Sequence, residues 1–262
     1  MTEPQPAISL SIIAPAHNER DNVAQLVAQV FAAAAKTGAV TEFIIVDDCS
    51  TDDTAAQVRS LMAQYPGLRL LQLQREPTTP QGKGNGQSAA FYAGIRAARG
   101  EWIGMLDADL QNDPAEFVTM YEQLRGGQYD LVQGDRSAAR KDNLIRRASS
   151  RVGRIFRRII LADVVRDTGC SLRVVSAHYA RQLPLQFRGM HRFIPISCAL
   201  LGARILQVAV HHRPRTAGTT KYGMGITQRA IPGLIDCLAV RWMASRRRTA
   251  RAVEQPSQAS AS

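Results

Sequence analysis

Two carboxylates one residue apart, Asp107 and Asp109, followed by the amide of Gln111, stand in the stretch LDADLQNDP. In an extended segment side chains at i and i+2 point to one side, so the three would converge. Like charges brought together call for a cation between them. Two close carboxylates and an amide oxygen are hard ligands suited to magnesium or manganese, ions that keep waters and share substrate phosphates. An acidic turn that merely caps a helix gives the same short pattern, so context separates the two readings.

The pair follows the apolar run EWIGML and precedes a helix-start signature, with Asp113 as cap, Pro114 in the first turn and Glu116 as the acidic third position. Upstream, LSIIAP, EFIIVDD and LRLLQL are short apolar runs, each followed by a helical pattern: over about 21–35, after Ser50 and after Gly86. Strands alternating with helices predict right-handed crossovers and a mainly parallel sheet, hence an α/β fold class. Ligands of such sheets bind outside the carboxyl ends of the strands. Pro15 to Glu19, Asp47 to Ser50 and Asp107 to Gln111 all fall at such ends, which predicts three polar turns around one pocket. The segment GKGNG does not match a phosphate loop and reads as a glycine turn before a helix. No hydrolase nucleophile elbow is present.

The formal net charge of +11 points to an anionic partner: nucleic acid, a phosphorylated substrate or an acidic lipid surface. From Arg136 to Arg173 basic residues outnumber acidic ones, and NLIRRASSRVGRIFRRIILAD predicts one long basic amphipathic helix. A helical segment from about Gly189 and a strand, RILQVAVHH, follow. The closing segment places apolar residues at 231, 234, 235, 238 and 242, one helical stripe, and ends in SRRRTAR. The beginning lacks a basic n-region and reads as the start of a cytosolic chain, and no stretch approaches the roughly 18 apolar residues of a spanning helix. The expected organisation is a catalytic domain over 1–223, a basic amphipathic helical segment over 224–250 and a disordered tail over 251–262. The four cysteines are too scattered for a zinc site and read as small apolar residues. His211 and His212 lack metal-ligand spacing and read as structural. Asp167 precedes a glycine turn with Arg173 beyond it, and a structural pairing of the two stands beside a role at the substrate.

In this order, PAHNER, IIVDDCSTDDT, LDADLQNDP, GDR, RRASSR, DTGCSLR and HRPRTAGTTKYG resemble family-2 inverting glycosyltransferases over about residues 8–223. The branch they resemble contains the polyprenol-phosphate (dolichol-phosphate) mannose synthases and their bacterial relatives. The resemblance implies a GT-A fold, a Rossmann-like, mainly parallel sheet flanked by helices that binds a nucleotide sugar. It implies donor-nucleotide contacts from Pro15, Glu19 and Asp47, with His17 standing where many relatives carry Tyr, and a GDP- or UDP-sugar as donor. Asp107, Asp109 and Gln111 are implied to hold magnesium or manganese and the diphosphate. Arg136, Arg146 and Ser150 are implied to hold the acceptor's lipid phosphate, and Arg215 and Lys221 to close over the donor. Asp167 and Arg173 join the substrate-binding candidates.

The implied reaction moves a single sugar, mannose or a similar hexose, to a polyprenyl phosphate at the cytosolic membrane face. The membrane helices that many relatives append do not follow in this sequence, so lipid would be reached by surface binding or through a separate membrane protein. A second reading keeps the fold but uses a soluble or glycan hydroxyl acceptor, which needs a general base. A third, a nucleic-acid-binding protein, explains the charge but leaves the acidic strand ends without purpose, so nucleic acid is not the expected partner. The Q-x-x-R-W signature of processive synthases is absent, because Leu238 stands where Gln is required.

Overall fold

The computed structural model describes residues 7–137, 155–163, 165–213 and 226–248. Strands and helices alternate first: β1 (Leu10–Ala16), α1 (Arg20–Thr37), β2 (Thr41–Asp47), α2 (Thr54–Leu61), β3 (Leu68–Gln72), α3 (Gln87–Ala97), β4 (Trp102–Met105), α4 (Glu116–Arg125) and β5 (Leu131–Asp135). Helical residues 155–161 (α5) follow. After them come β6 (Arg173–Ser176), α6 (Ala177–Ala180), a 3-10 turn (Met190–Phe193), α7 (Ile194–Leu200), β7 (Ile205–Ala209) and α8 (Ile226–Arg246). The seven strands form one sheet in the order β3-β2-β1-β4-β6-β5-β7. Only β6 runs against its neighbours β4 and β5. The expected α/β, mainly parallel architecture is therefore present.

Both faces of the sheet are covered, which is why its strands read as nearly continuous apolar runs. Period-two alternation sends Ile12 and Ala14 of β1 into a core layer with Val23 and Leu26 of α1 and Phe117 and Met120 of α4. Ile13 joins the opposite layer with Phe91 and Ile95 of α3. There α3 lies so close to the sheet that a Cβ on Gly94 would sit 2.5 Å from Ile13 Cγ2.

Several expectations need correction. Asp113 Oδ1 accepts from Ala115 N at 3.0 Å in a tight turn before α4, so it caps that turn and the helix begins at Glu116. Strands β5 and β6 were not foreseen: β5 carries a buried amide, Gln133, whose Nε2 donates to the carbonyls of Gly134 and Cys170 at 3.0 Å each. Of the long basic helix expected after Arg136, α5 lies among the described residues and 138–154 lie outside them. The closing helix runs over Ile226–Arg246 and carries apolar groups on two sides. Leu234, Ile235, Leu238 and Trp242 are exposed, whereas Cys237 and Val240 are buried. A single apolar stripe does not describe it. Among the described residues no helix is long and apolar enough to cross a membrane. All four cysteines are free.

Candidate active site

Strands β2, β1 and β4 are neighbours in the sheet, so the turns at their carboxyl ends are contiguous. The first two are stitched together. Asn18, at φ +54°, accepts at Oδ1 from Thr51 N (2.7 Å), its own N–H donates to Ser50 Oγ (2.9 Å), and Glu19 N donates to Thr54 Oγ1 (2.9 Å). His17 Nδ1 lies 2.7 Å from the Asp48 carbonyl oxygen. A carbonyl only accepts, so Nδ1 carries the proton and Nε2 of the neutral ring is an acceptor. Pro15 is half-buried in β1, opposite Val46 of β2.

The two acids after β2 have separate tasks. Asp47 accepts from Ser50 N at 3.1 Å and from Gln72 Nε2 at 3.2 Å. Asp48 accepts from the backbone N–H of Asn85 (2.8 Å) and Gly86 (2.7 Å). A Cβ on Gly84 would fall 2.3 Å from Asp48 Oδ2. The glycine segment thus wraps a carboxylate of its own chain, as a turn before α3. Beside it opens a cleft of about 330 Å³ lined by Cys49, Ser50, Thr51, Leu73, Arg75 and Gln81, with Gly82 at its edge. Arg75 was not singled out in the sequence.

The third turn differs from its expected geometry. Strand β4 ends at Met105, and the chain bends over 108–110, with Leu110 at φ +60°. Asp107 and Asp109 meet through a turn and not through strand alternation. Asp109 is buried and accepts from Gln111 N at 3.2 Å. Asp107 Oδ1 accepts from Gln87 Nε2 at 2.5 Å. Burial, and then the neighbouring Asp109 charge, push the Asp107 carboxyl above the ordinary carboxylate range, against the pull of Ser171, Arg136 and Arg173. Among the described residues no group of three or more His, Cys, Asp or Glu could hold a metal alone. Two repelling carboxylates form an incomplete shell, which fits a magnesium or manganese ion whose other ligands are phosphate oxygens and water.

The segment before residue 214 is pinned to this turn. Arg213 N donates to the Gln111 carbonyl at 2.9 Å, the Arg213 guanidinium pairs with Asp113, and His211 Nδ1 lies 2.7 Å from Glu116 Oε1. Asn112 and His212 form an isolated β-bridge. The histidine pair is structural, as the sequence indicated.

Behind the acids stand two buried arginines. Arg136 Nε and Nη2 donate to Asp167 Oδ2 and Oδ1 at 2.8 and 3.2 Å. Asp167 therefore pairs with Arg136, and not with Arg173 as its structural reading had it. Arg173, at the start of β6, donates to the carbonyls of Cys170 and His191, and burial pulls its pKa down. Arg146, Ser150, Arg215 and Lys221 lie outside the described residues. The structure so brings Pro15, His17, Glu19, Asp47, Asp107, Asp109, Gln111, Arg136, Asp167 and Arg173 to one end of the sheet.

His191 is a further group that the sequence gave no reason to choose. Its Nδ1 lies 2.8 Å from Ser88 Oγ, next to Gln87 at the start of α3, and its own N–H donates to that hydroxyl at 3.1 Å. Burial, with help from Arg192 and Arg173, holds its pKa down to about 3 against the ordinary 6.5. Between those values the unfolded chain binds the proton and the folded one does not, so stability falls as pH drops below 6.5. His191→Gln is expected to lose less thermal stability than the parent between pH 7 and pH 5, by up to about 1.4 kcal/mol per pH unit. Equal losses in a melting series would dismiss this role for His191.

A sheet of this topology with acidic turns at adjacent strand ends falls in the nucleotide-binding α/β class. The sequence profile of glycosyl transferase family 2 matches residues 11–183, and the chain belongs to that family. It is 36% identical over 245 residues to the dodecaprenyl-phosphate galacturonate synthase of Rhizobium johnstonii, covering 90% of this chain and 68% of that protein. It is 31% identical over 229 residues to the undecaprenyl-phosphate 4-deoxy-4-formamido-L-arabinose transferase of Edwardsiella ictaluri, covering 87% of this chain and 67% of that one. The fold, of GT-A type, is shared with glucosyl-3-phosphoglycerate synthase of Mycobacterium tuberculosis. Its UDP complex aligns with a TM-score of 0.63 at 18% identity over 88% of this chain and 80% of that one. Its complex with Mn2+, UDP and glucosyl-3-phosphoglycerate aligns at 0.60 and 19%, over 89% and 80%.

Proposed function

We propose that this glycosyltransferase moves one sugar, with inversion, from a nucleotide-diphosphate sugar to a polyprenyl phosphate at the cytosolic face of a membrane. The observation that carries the reading is the pair of crowded carboxylates, Asp107 and Asp109, after β4, next in the sheet to β1 and β2, whose polar turns also lie at their carboxyl ends. The names of the relatives supply the acceptor class. Their sugars are galacturonate and a formamido-arabinose, so an acidic or modified sugar stands beside mannose or a similar hexose as the group transferred.

In this reading Pro15, His17, Glu19 and Asp47 contact the nucleoside from the turns after β1 and β2, and Arg75 lines the cleft next to the second turn. Asp107 and Asp109, with the Gln111 amide, would hold a magnesium or manganese ion, which would supply positive charge to offset that developing on the departing diphosphate. The anomeric carbon–oxygen bond breaks with its electron pair going to the nucleotide, and a phosphate oxygen of the acceptor bonds from the opposite face. That acceptor is already ionised near neutral pH, its second pKa being about 6, so no general base is required of the protein. Arg136, Arg146 and Ser150 position it, Asp167 and Arg173 line its side of the site, and Arg215 and Lys221 cover the donor. Planar guanidinium groups suit this task because two anions must approach one another.

The exposed Leu234, Ile235, Leu238 and Trp242 of α8, followed by Arg246, Arg247 and Arg248, support contact with an anionic bilayer surface. A separate membrane protein is the other route to the lipid.

Purified protein incubated with labelled GDP-mannose, UDP-glucose or UDP-galacturonate, and with polyprenyl phosphate in neutral or anionic vesicles, tests the reading. Label is expected in the lipid with one donor, dependent on Mn2+ and greater in anionic vesicles. Label passing only to water or to a soluble hydroxyl acceptor would reject it.

A further inference from the structure

The start of α3 is clamped on both sides of one residue, Gln87. In front of it, Asp48 accepts at Oδ1 from Asn85 N (2.8 Å) and at Oδ2 from Gly86 N (2.7 Å). Behind it, Ser88 Oγ accepts from His191 N at 3.1 Å and lies 2.8 Å from Nδ1 of the same histidine. Gly86, at φ +106°, makes the bend from the glycine segment into the helix, a conformation that side chains with a Cβ rarely adopt. These contacts set the backbone of Gln87. Its side chain then reaches the turn after β4, where Nε2 donates to Asp107 Oδ1 at 2.5 Å.

All three turns of the site are joined by this route. His17, after β1, meets the Asp48 carbonyl; the Asp48 carboxylate, after β2, holds residues 85 and 86; Gln87 holds Asp107, after β4. Asp48 is 5% exposed, and each of its carboxylate oxygens is engaged by a backbone N–H of its own chain. Asp107 has a different requirement. Beside the like charge of Asp109, a carboxylate without a donor is free to turn away until an ion draws it back, and that ordering subtracts from ion affinity. One neutral amide arrests the rotation without cancelling the charge. It takes one of about four acceptor sites on the carboxylate and leaves the others for a cation.

We propose that Gln87 is a positioning residue that holds Asp107 in its ion-binding orientation, and that Asp48 acts through Gln87 by fixing the segment before it. The proposal rests on the reading of Asp107 as a metal ligand, and the experiment separates the two. Mn2+ affinity in the presence of UDP is measured on the whole chain from the electron paramagnetic resonance signal of the free ion. UDP affinity and thermal midpoints are measured alongside in chelator. Gln87→Met, which keeps the length of the side chain and loses the donor, is expected to weaken Mn2+ binding about 10-fold. Its UDP affinity and midpoint in chelator should match the parent's, since the amide serves the ion alone. Should Gln87→Met not fold, Gln87→Asn keeps an amide too short to reach Asp107 and reads the same loss.

Asp48→Asn is expected to weaken Mn2+ binding by a smaller factor, about 3-fold, and to add nothing in the Gln87→Met background, because it acts through that side chain. Multiplying losses would overturn the part given to Asp48. Parental Mn2+ affinity in Gln87→Met beside a lost affinity in Asp107→Ala would overturn the part given to Gln87, as would a matching loss of UDP affinity in chelator, the mark of a direct nucleotide contact. Parental Mn2+ affinity in Asp107→Ala would overturn the metal reading itself and the positioning role with it.

Discussion

Asp109→Asn is expected to reduce sugar transfer by on the order of 10³-fold, about 4 kcal/mol of transition-state stabilisation, and to leave the fold in place. The substitution keeps an oxygen for the Gln111 N–H, which Asp109 now accepts at 3.2 Å, and removes only the charge. In chelator the variant should melt no lower than the parent, because the charge that helps to push Asp107 up is gone. With Mn2+ and UDP the order reverses: a ligand that binds only the folded chain raises the parent's midpoint, and the variant loses that gain. Thermal shift with and without Mn2+ plus UDP, and turnover at saturating donor, check both halves. A variant that keeps turnover within 10-fold, or keeps its metal-dependent shift, would remove the cation from the site.

What the sequence disclosed follows from the range of the interactions involved. The strand ends were legible because an apolar run followed by Asp or His is a local pattern, and Pro15 to Glu19, Asp47 to Ser50 and Asp107 to Gln111 do lie on three neighbouring strands. The reason that Asp107 and Asp109 meet was not, since β4 stops at Met105 and the chain bends at 108 and 109, a conformation no side-chain type there announces. Partners remote in sequence were hidden too. Gln87 reaches Asp107, Ser171 joins Asn112, and Arg136 takes Asp167 across 31 positions, while the sequence offered Arg173 as the nearer cation. Strand β6 escaped because four residues, RVVS, with a buried arginine at their head, carry neither the length nor the alternation of a strand. The apolar positions of α8 were read correctly as helical, yet most of them face outward while Cys237 and Val240 make the contact with the core. Periodicity identifies a helix and is silent on which face finds a partner.

Arg136 has two offered roles, the structural partner of Asp167 and a contact for the acceptor phosphate, and its variants separate them. Both side chains of the pair are nearly closed to solvent, at 8% and 7% exposure. Removing one partner strands a buried charge, so Asp167→Ala is expected to cost about 3–5 kcal/mol and to lower the melting temperature by on the order of 10 °C. Arg136→Ala should cost less. The stranded Asp167 keeps the Gly169 and Arg136 N–H donors, both at 3.2 Å, whereas a stranded Arg136 keeps, among the described residues, the more distant charge of Asp107 as compensation. Arg136→Leu with Asp167→Leu should recover part of the loss, since a buried pair replaced by apolar groups no longer leaves a charge alone. Melting curves of the single and double variants give that coupling. Turnover then divides the roles: an arginine that also holds the acceptor raises KM for polyprenyl phosphate when replaced by Lys, which keeps the charge but not the planar fork. Asp167→Asn, which keeps acceptor oxygen but not the charge, would leave that KM nearly unchanged if Asp167 serves only the stability of the fold. Equal rises in KM for both variants would instead make the pair one unit, in which the carboxylate aims the guanidinium at the phosphate.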